Sequence, residues 1–279
     1  MQGRTGGNKK SSCRHITSIR TIGVRFGKGG IVTKLIINAD DFGYSKGVNY
    51  GIITSHACGV VTSTTMMMNM PEVDHAFLLA KQHSALGVGI HLVMTCGKPL
   101  SDDVPSLVNE SGHFHSLRDV FDHINTEDVE KEFTRQVEAF LSYGKKPTHI
   151  DSHHHVHAHE KILPVVLNLA ERYHLPLRLL PTDDETNQLP AGIRSTAAFD
   201  QSFYGDELSL ESVEQILDKH AGIESLEIMT HPAFIDQPLC QGSSYALQRM
   251  NELAILTDPQ VKKRLNCRDI QLITFTQLG

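Results

Sequence analysis

Paired cysteines, long apolar runs and an excess of positive charge are all missing from this chain. Its five cysteines (Cys13, Cys58, Cys96, Cys240, Cys267) are odd in number, far apart and contain no C-x-x-C pair. That excludes a disulfide framework or a zinc ribbon and fits a reducing, cytoplasmic location. No stretch reaches the roughly 18 apolar residues that a membrane-spanning helix needs, so a membrane is not an expected partner. The formal charge is −6, from 26 Lys+Arg against 32 Asp+Glu, which argues against nucleic acid as a partner. There is no G-x-x-x-x-G-K-[ST] phosphate loop, no G-x-S-x-G nucleophile elbow and no G-x-G-x-x-G dinucleotide fingerprint. Tryptophan is also absent, which excludes nothing.

The charge is unevenly distributed. The first 31 residues hold seven basic side chains (Arg4, Lys9, Lys10, Arg14, Arg20, Arg25, Lys28), no acid and no apolar segment of secretory type. Removing those seven leaves 19 Lys+Arg against 32 Asp+Glu, so residues 32–279 carry −13. A transit peptide and a nucleic-acid-binding arm are two readings of residues 1–31. The preferred one is translated upstream sequence, with initiation at Val32, and the segment is expected to be disordered.

The whole chain is 40% hydrophobic, enough for one sizeable core. Residues 34–39, 62–69, 87–92, 148–151, 177–180, 226–230 and 271–275 read as strands. Helices are expected over 46–58, capped by Ser45, and over 73–83, 127–143, 162–173, 210–220 and 245–256, with a long loop over 95–125. Strands separated by helices imply parallel β-α units, and their sustained alternation favours a single-domain α/β barrel over an open sheet.

Histidine is abundant, 17 in all, with five between His153 and His159. In barrels and α/β sheets, functional groups gather where strands end, and four polar clusters sit at such places. Asp40-Asp41 follow the first strand. Successive carboxylates point in different directions, so one could bind a metal while the other faces the reaction centre. His91 interrupts the apolar run G-V-G-I-H-L. The segment T-H-I-D-S-H-H-H-V-H-A-H-E supplies further imidazoles, and alternation along an extended chain would put Asp151, His153 and His155 on one face. His231, in M-T-H-P-A-F-I-D, is fixed by Pro232 in a setting that suits a general acid. Two His plus a carboxylate leave coordination positions open for water and substrate, so metal-assisted hydrolysis is the chemistry indicated.

At these residues the chain resembles the YdjC-like carbohydrate deacetylases, and within them the chitooligosaccharide deacetylase branch. The matching stretches are N-A-D-D-F-G-Y-S-K-G-V-N-Y-G-I-I from Asn38, V-T-S-T-T from Val61, G-I-H-L from Gly89, K-P-T-H-I-D-S-H-H-H-V-H from Lys146 and H-P-A-F-I-D from His231. The resemblance runs from about residue 34 to the C-terminus. It implies a distorted (β/α) barrel with parallel strands, holding one divalent ion, magnesium, on Asp41, His91 and His153. Asp40 then corresponds to the catalytic base, the substrate to a small acetylated oligosaccharide such as diacetylchitobiose or its 6-phosphate, and the assembly to a homodimer. By ligand chemistry alone, two imidazoles and a carboxylate suit Zn²⁺, Mn²⁺ or Co²⁺ better than Mg²⁺.

Within that picture His231 is the candidate acid for the departing amine, and Asp151 the partner that orients a ligand imidazole. His155 is a candidate second-layer or substrate residue. Arg178 would hold Asp40 ionised or contact a sugar phosphate. The competing expectations are a binuclear phosphoesterase or amidohydrolase, using pairs such as His153/His155 or His155/His157, and a non-catalytic sugar-binding protein.

Overall fold

In the computed structural model, which describes residues 34–178, 180 and 189–278, the chain is organised about β1 (Lys34–Phe42). Side chains on a strand alternate between two faces. Leu35, Ile37 and Ala39 accordingly join the large core beneath the helices, while Ile36 belongs to a separate small cluster on the opposite face with Ile273, Phe275 and Leu278. Asn38 and Asp40 continue that second face upward and hydrogen-bond to each other.

On one edge of β1 lie β2 (Ser63–Met66), β3 (Gly87–Leu92) and β4 (Ile150–Ser152); on the other lie β6 (Ser225–Thr230) and then β5 (Ala198–Asp200). Every pairing is parallel, and β7 (Gln271–Leu272) pairs with the first two residues of β1. Parallel neighbours need crossovers. Here these are α1 (Lys46–Ala57), α2 (Val73–Gln82), α3 (Val120–His123), α4 (Thr126–Ser142), α5 (Leu163–Tyr173) and α6 (Ser212–Lys219). Before β7 come α7 (Gln237–Gly242), α8 (Gln248–Thr257) and α9 (Pro259–Cys267). The sheet curls into a half-barrel with helices outside it, the single-domain distorted (β/α) barrel expected.

Local chemistry sets the helices. The Ser45 hydroxyl accepts from the Val48 N–H to cap α1, and Asn125 caps α4. Val129, Phe133, Val137 and Phe140 recur at helical spacing along α4 and are buried, each burial contributing about 1.5–3 kcal/mol. On the same helix, buried Gln136 exchanges two hydrogen bonds with the Val93 backbone, and buried Glu132 accepts from the N–H groups of Leu100 and Ser101. That grip fixes the loop leaving β3, immediately after His91.

Several expected boundaries move. The strand expected over 62–69 ends at Met66, and the one expected over 177–180 is a single parallel bridge between Leu177 and Ile150, with Leu179 outside the described residues. Residues 1–31 lie outside them as well. β5, α7 and α9 were not expected: A-F-D is too short for periodicity to register, and α7 and α9 are opened by Pro238 and Pro259, which read as loop signals. Among the described residues no helix is long and apolar enough to cross a membrane.

The concave face decides where chemistry is placed. Its floor is apolar, with the His149 ring stacked 3.7 Å from Phe275. A side chain at Gly89 would collide with that ring, so glycine is required there. Above the floor, the inward positions of successive strands carry Asn38, Asp40, Thr65, His91, Asp151 and Glu227, all buried.

Candidate metal centre

The acid pair sits on a distortion of β1. Between Ala39 and Phe42 the register to β2 shifts, and Asp41 has φ 73°, a left-handed conformation that Asp tolerates better than most residues. The bulge breaks strict alternation and turns both carboxylates toward the same end of the barrel.

One ligating atom from each of Asp41, His91 and His153 lies within 4.8 Å of the other two. Asp41 Oδ1 is 3.5 Å from His91 Nε2 and 3.2 Å from His153 Nδ1. Ligand bonds of about 2.0–2.2 Å at ordinary coordination angles put neighbouring donors roughly 3–3.5 Å apart, so these spacings fit a single cation. Asp41 Oδ1 is also buried without a hydrogen-bond donor. The Asp151 carboxylate accepts from His91 Nδ1 at 2.7 Å, which leaves the Nε2 lone pair facing Asp41. Burial opposes charge on His91, yet Asp151, Asp40 and Asp41 together raise its pKa above the ordinary value, a measure of how strongly this pocket attracts positive charge. Burial likewise works against ionised Asp41, but Arg249 and His153 hold it well below the usual carboxylate range.

Asp40, Asp151 and Glu227 converge on one guanidinium. Arg178 Nη1 and Nη2 each donate to one oxygen of Asp40 at 2.7 Å, Nη2 lies 2.9 Å from Asp151 Oδ2, and Nε donates to Glu227 Oε1 at 2.8 Å. Burial alone would raise the Asp40 pKa; Arg178 overrides it and keeps the carboxylate ionised. Oδ1 of Asp40 also accepts from Asn38, whereas Oδ2 has one donor and keeps a lone pair. Arg178 itself is buried and does not line the cavity, so of its two expected tasks only the first suits its place; contact with a sugar phosphate does not.

Ligating atoms of Asp40, His91 and Asp151 also converge, but Arg178 already pairs both of those acids, so that space is held by a fixed organic cation. Those two groups of three are the ones found among the described residues. The His-x-His pairs expected of a binuclear site do not assemble one. After Ser152 the backbone leaves the sheet in a 3₁₀ turn (His153–Ala158), with left-handed conformations at His154 and His155. The extended alternation expected to align Asp151, His153 and His155 is therefore corrected: of the clustered histidines, His153 converges with Asp41 and His91. His155 lines the cavity with Nδ1 unpartnered, and burial pushes it down to about 4, so its ring is neutral. His157 is turned away onto Ser152.

A second arginine, not anticipated from sequence, completes the rim. Arg249 on α8 lies 2.7 Å from Asp41 Oδ2. One turn on, Glu252 accepts from the backbone N–H of His231 and from the Tyr245 hydroxyl. Burial pushes Glu252 up to about 8, while burial and Arg249 push His231 down to about 3; the proton in this pair therefore sits on Glu252, whose Oε1 is 4.0 Å from His231 Nδ1. A readable signal was present: Arg249 and Glu252 each precede a buried leucine by four residues (Leu253, Leu256), which puts two charges on the core face of the helix. Glu227, an acid inside the apolar run L-E-I-M, carried the same kind of signal.

These groups open into a cavity of about 800 Å³ lined by Asp40, Asp41, His91, His153, His231 and Arg249, with Tyr204 and Tyr245 on its wall.

A family model described as YdjC-like protein matches residues 34–266. A carbohydrate deacetylase of Brevibacillus brevis is 51% identical over 249 residues, covering 88% of this chain and all of that protein. A chitooligosaccharide deacetylase of Proteus mirabilis is 42% identical over 252 residues, 88% of this chain and 98% of that one. Among solved structures, an Enterococcus faecalis protein provisionally named for cellobiose-phosphate cleavage superposes with a TM-score of 0.84 at 40% identity, over 87% of this chain and 97% of that one.

Proposed function

We propose, for a chain that belongs to the YdjC-like protein family, that it is a carbohydrate deacetylase using one divalent cation to remove the N-acetyl group of a small chitooligosaccharide. The observation that carries this reading is the convergence of Asp41, His91 and His153 within 4.8 Å beside a spare ionised carboxylate, Asp40, in one large cavity. The curated relatives named as carbohydrate and chitooligosaccharide deacetylases support the substrate class.

A cation held by these three ligands would supply Lewis acidity, lowering the pKa of water and polarising the acetamide carbonyl. Asp40 accepts the proton of the attacking water on Oδ2, the oxygen with a lone pair to spare, a general-base contribution of about 10²–10⁴-fold. Arg178 holds that carboxylate in place by a bidentate pair. As the C–N bond breaks, the amine must gain a proton, and His231 on the cavity wall is the donor. Because its ring rests neutral, His231 must take up a proton before it can give one to the amine; Glu252, whose Oε1 stands 4.0 Å from Nδ1, holds the nearest proton, and the two groups must close that gap for the transfer.

The resemblance favours magnesium; the donor set favours zinc, manganese or cobalt. We place the enzyme in the cytoplasm, which the free cysteines Cys58, Cys96, Cys240 and Cys267 support, and as a homodimer, on the resemblance. Acetate release from N-acetylglucosamine, diacetylchitobiose and its 6-phosphate, by stripped protein with each ion restored in turn, tests the reading. Release that requires one added ion is expected. Undiminished release by the stripped protein would overturn the metal dependence.

A further inference from the structure

Beyond the catalytic cavity, on the far side of Tyr204, lies a second depression of about 300 Å³ between the β5–α6 loop and helix α6. The two hollows share Ser202 and Tyr204, so little more than those side chains divides them. Tyr204 is half exposed, and its ring stacks on Tyr245 with centroids 3.8 Å apart and planes 12° from parallel. Tyr245 is itself anchored: its hydroxyl donates to Glu252 and accepts from the Gly205 N–H. Ser202 is held by Asp200, which Lys219 and His220 pair in turn. Tyr204 therefore stands as a rigid aromatic blade at the lip of the catalytic cavity.

The second hollow has apolar patches from Leu208 and Ile216 and polar groups from Glu207, Gln215 and Lys219. Sites for small molecules commonly join apolar and aromatic walls with a few placed polar groups. Glu207 can only accept hydrogen bonds, Lys219 can only donate, and Gln215 does both. Hydroxyl groups, which donate and accept, match this mixture; a phosphate would meet the Glu207 carboxylate. A pyranose ring, with an apolar face for the tyrosine and hydroxyls at its rim, has the required chemistry.

We propose that this depression is a second sugar subsite, in which a neutral sugar unit adjoining the reacting one lies against Tyr204 and hydrogen-bonds to Glu207, Gln215 and Lys219. The inference rests on the carbohydrate-deacetylase reading and deepens it: the enzyme selects a chain of at least two sugars by contacts at the lip of the catalytic cavity and beyond it.

The test compares kcat/KM for acetate release from N-acetylglucosamine, diacetylchitobiose and triacetylchitotriose. It uses the parent, Tyr204→Ala, Tyr204→Phe and Gln215→Trp, the last filling the hollow from an exposed position on α6. If the monosaccharide binds without turnover, its inhibition constant takes the place of its KM. Tyr204→Ala and Gln215→Trp should each lower the disaccharide-to-monosaccharide preference by about tenfold, chiefly through KM, as for the loss of one aromatic contact. Tyr204→Phe keeps the ring and should restore the preference. An unchanged preference in both Tyr204→Ala and Gln215→Trp overturns the subsite while leaving the deacetylase reading intact. Acetate from none of the three sugars, with parent protein and added cation, overturns the reading and the subsite with it.

Discussion

Two buried arginines, Arg178 inside the half-barrel and Arg249 at its rim, hold the two carboxylates of the acid pair, and they do so in opposite ways. Arg178 is surrounded by groups from three strands, Asp40 on β1, Asp151 on β4 and Glu227 on β6. It neutralises a concentration of acid that the fold could not otherwise bury. Arg249 arrives from a helix, meets one carboxylate, Asp41, and stands within 5.8 Å of the Tyr245 ring. The first cluster is sealed and multiply bonded; the second opens onto the cavity, where Asp41 keeps an oxygen without a donor. The difference separates a carboxylate held ionised by a permanent partner from one left able to take a cation.

The sharpest way to break this comparison is to neutralise each acid. Asp40→Asn should keep the cation and lose turnover by about 10²–10⁴-fold, whereas Asp41→Ala should lose both. Metal content per chain, measured beside kcat, tells them apart, and near-normal turnover in Asp40→Asn would remove it as the base. Next come the arginines. Arg178→Met strands three buried acids and should cost about 3–5 kcal/mol of stability by denaturant unfolding. Arg249→Met should stay folded and lower kcat/KM about 10- to 100-fold at saturating cation, the loss typical for a partner of a metal ligand. Equal destabilisation by the two would erase the distinction.

The smallest expected effect concerns Glu227. Burial pushes its folded pKa up to about 7 from an ordinary 4.5, so folding takes up a proton in that window and stability falls as pH rises through it. Glu227→Gln retains an acceptor for Arg178 Nε and cannot titrate. Between pH 4.5 and pH 7 its stability relative to the parent should therefore rise, by on the order of 2 kcal/mol. A constant difference across that range would show the carboxyl already ionised within the barrel.

Much of the fold was legible because its elements repeat. The run K-L-I-I-N-A, the Ser45 cap and the apolar spacing of α4 each carry a local period or a local signal. The ligand candidates were legible because His91 and the acid pair are polar where apolar residues belong. The misjudged alternation through His155 had a definite cause. Alternation was extended past Ser152, where the chain turns into left-handed conformations that histidine does not announce. Tyr204 escaped because it lies more than 150 positions from Asp41 on a loop of ordinary composition, and Arg249 and Glu252 because their place on the core face of α8 marks them as buried without naming the distant carboxylate they meet.

The order of residues by itself determined the strand–helix alternation, the polar groups at strand ends and the membership in a deacetylase family, since each is written in nearest-neighbour pattern or in local motifs. Only the tertiary structure decided which acid is clamped and which is open, which of five clustered histidines joins Asp41 and His91, and what stands at the lip of the cavity. Those outcomes depend on electrostatics and packing between strands and helices distant in sequence, and the field at Asp40 or Asp41 exists only once Arg178 and Arg249 have been brought beside them.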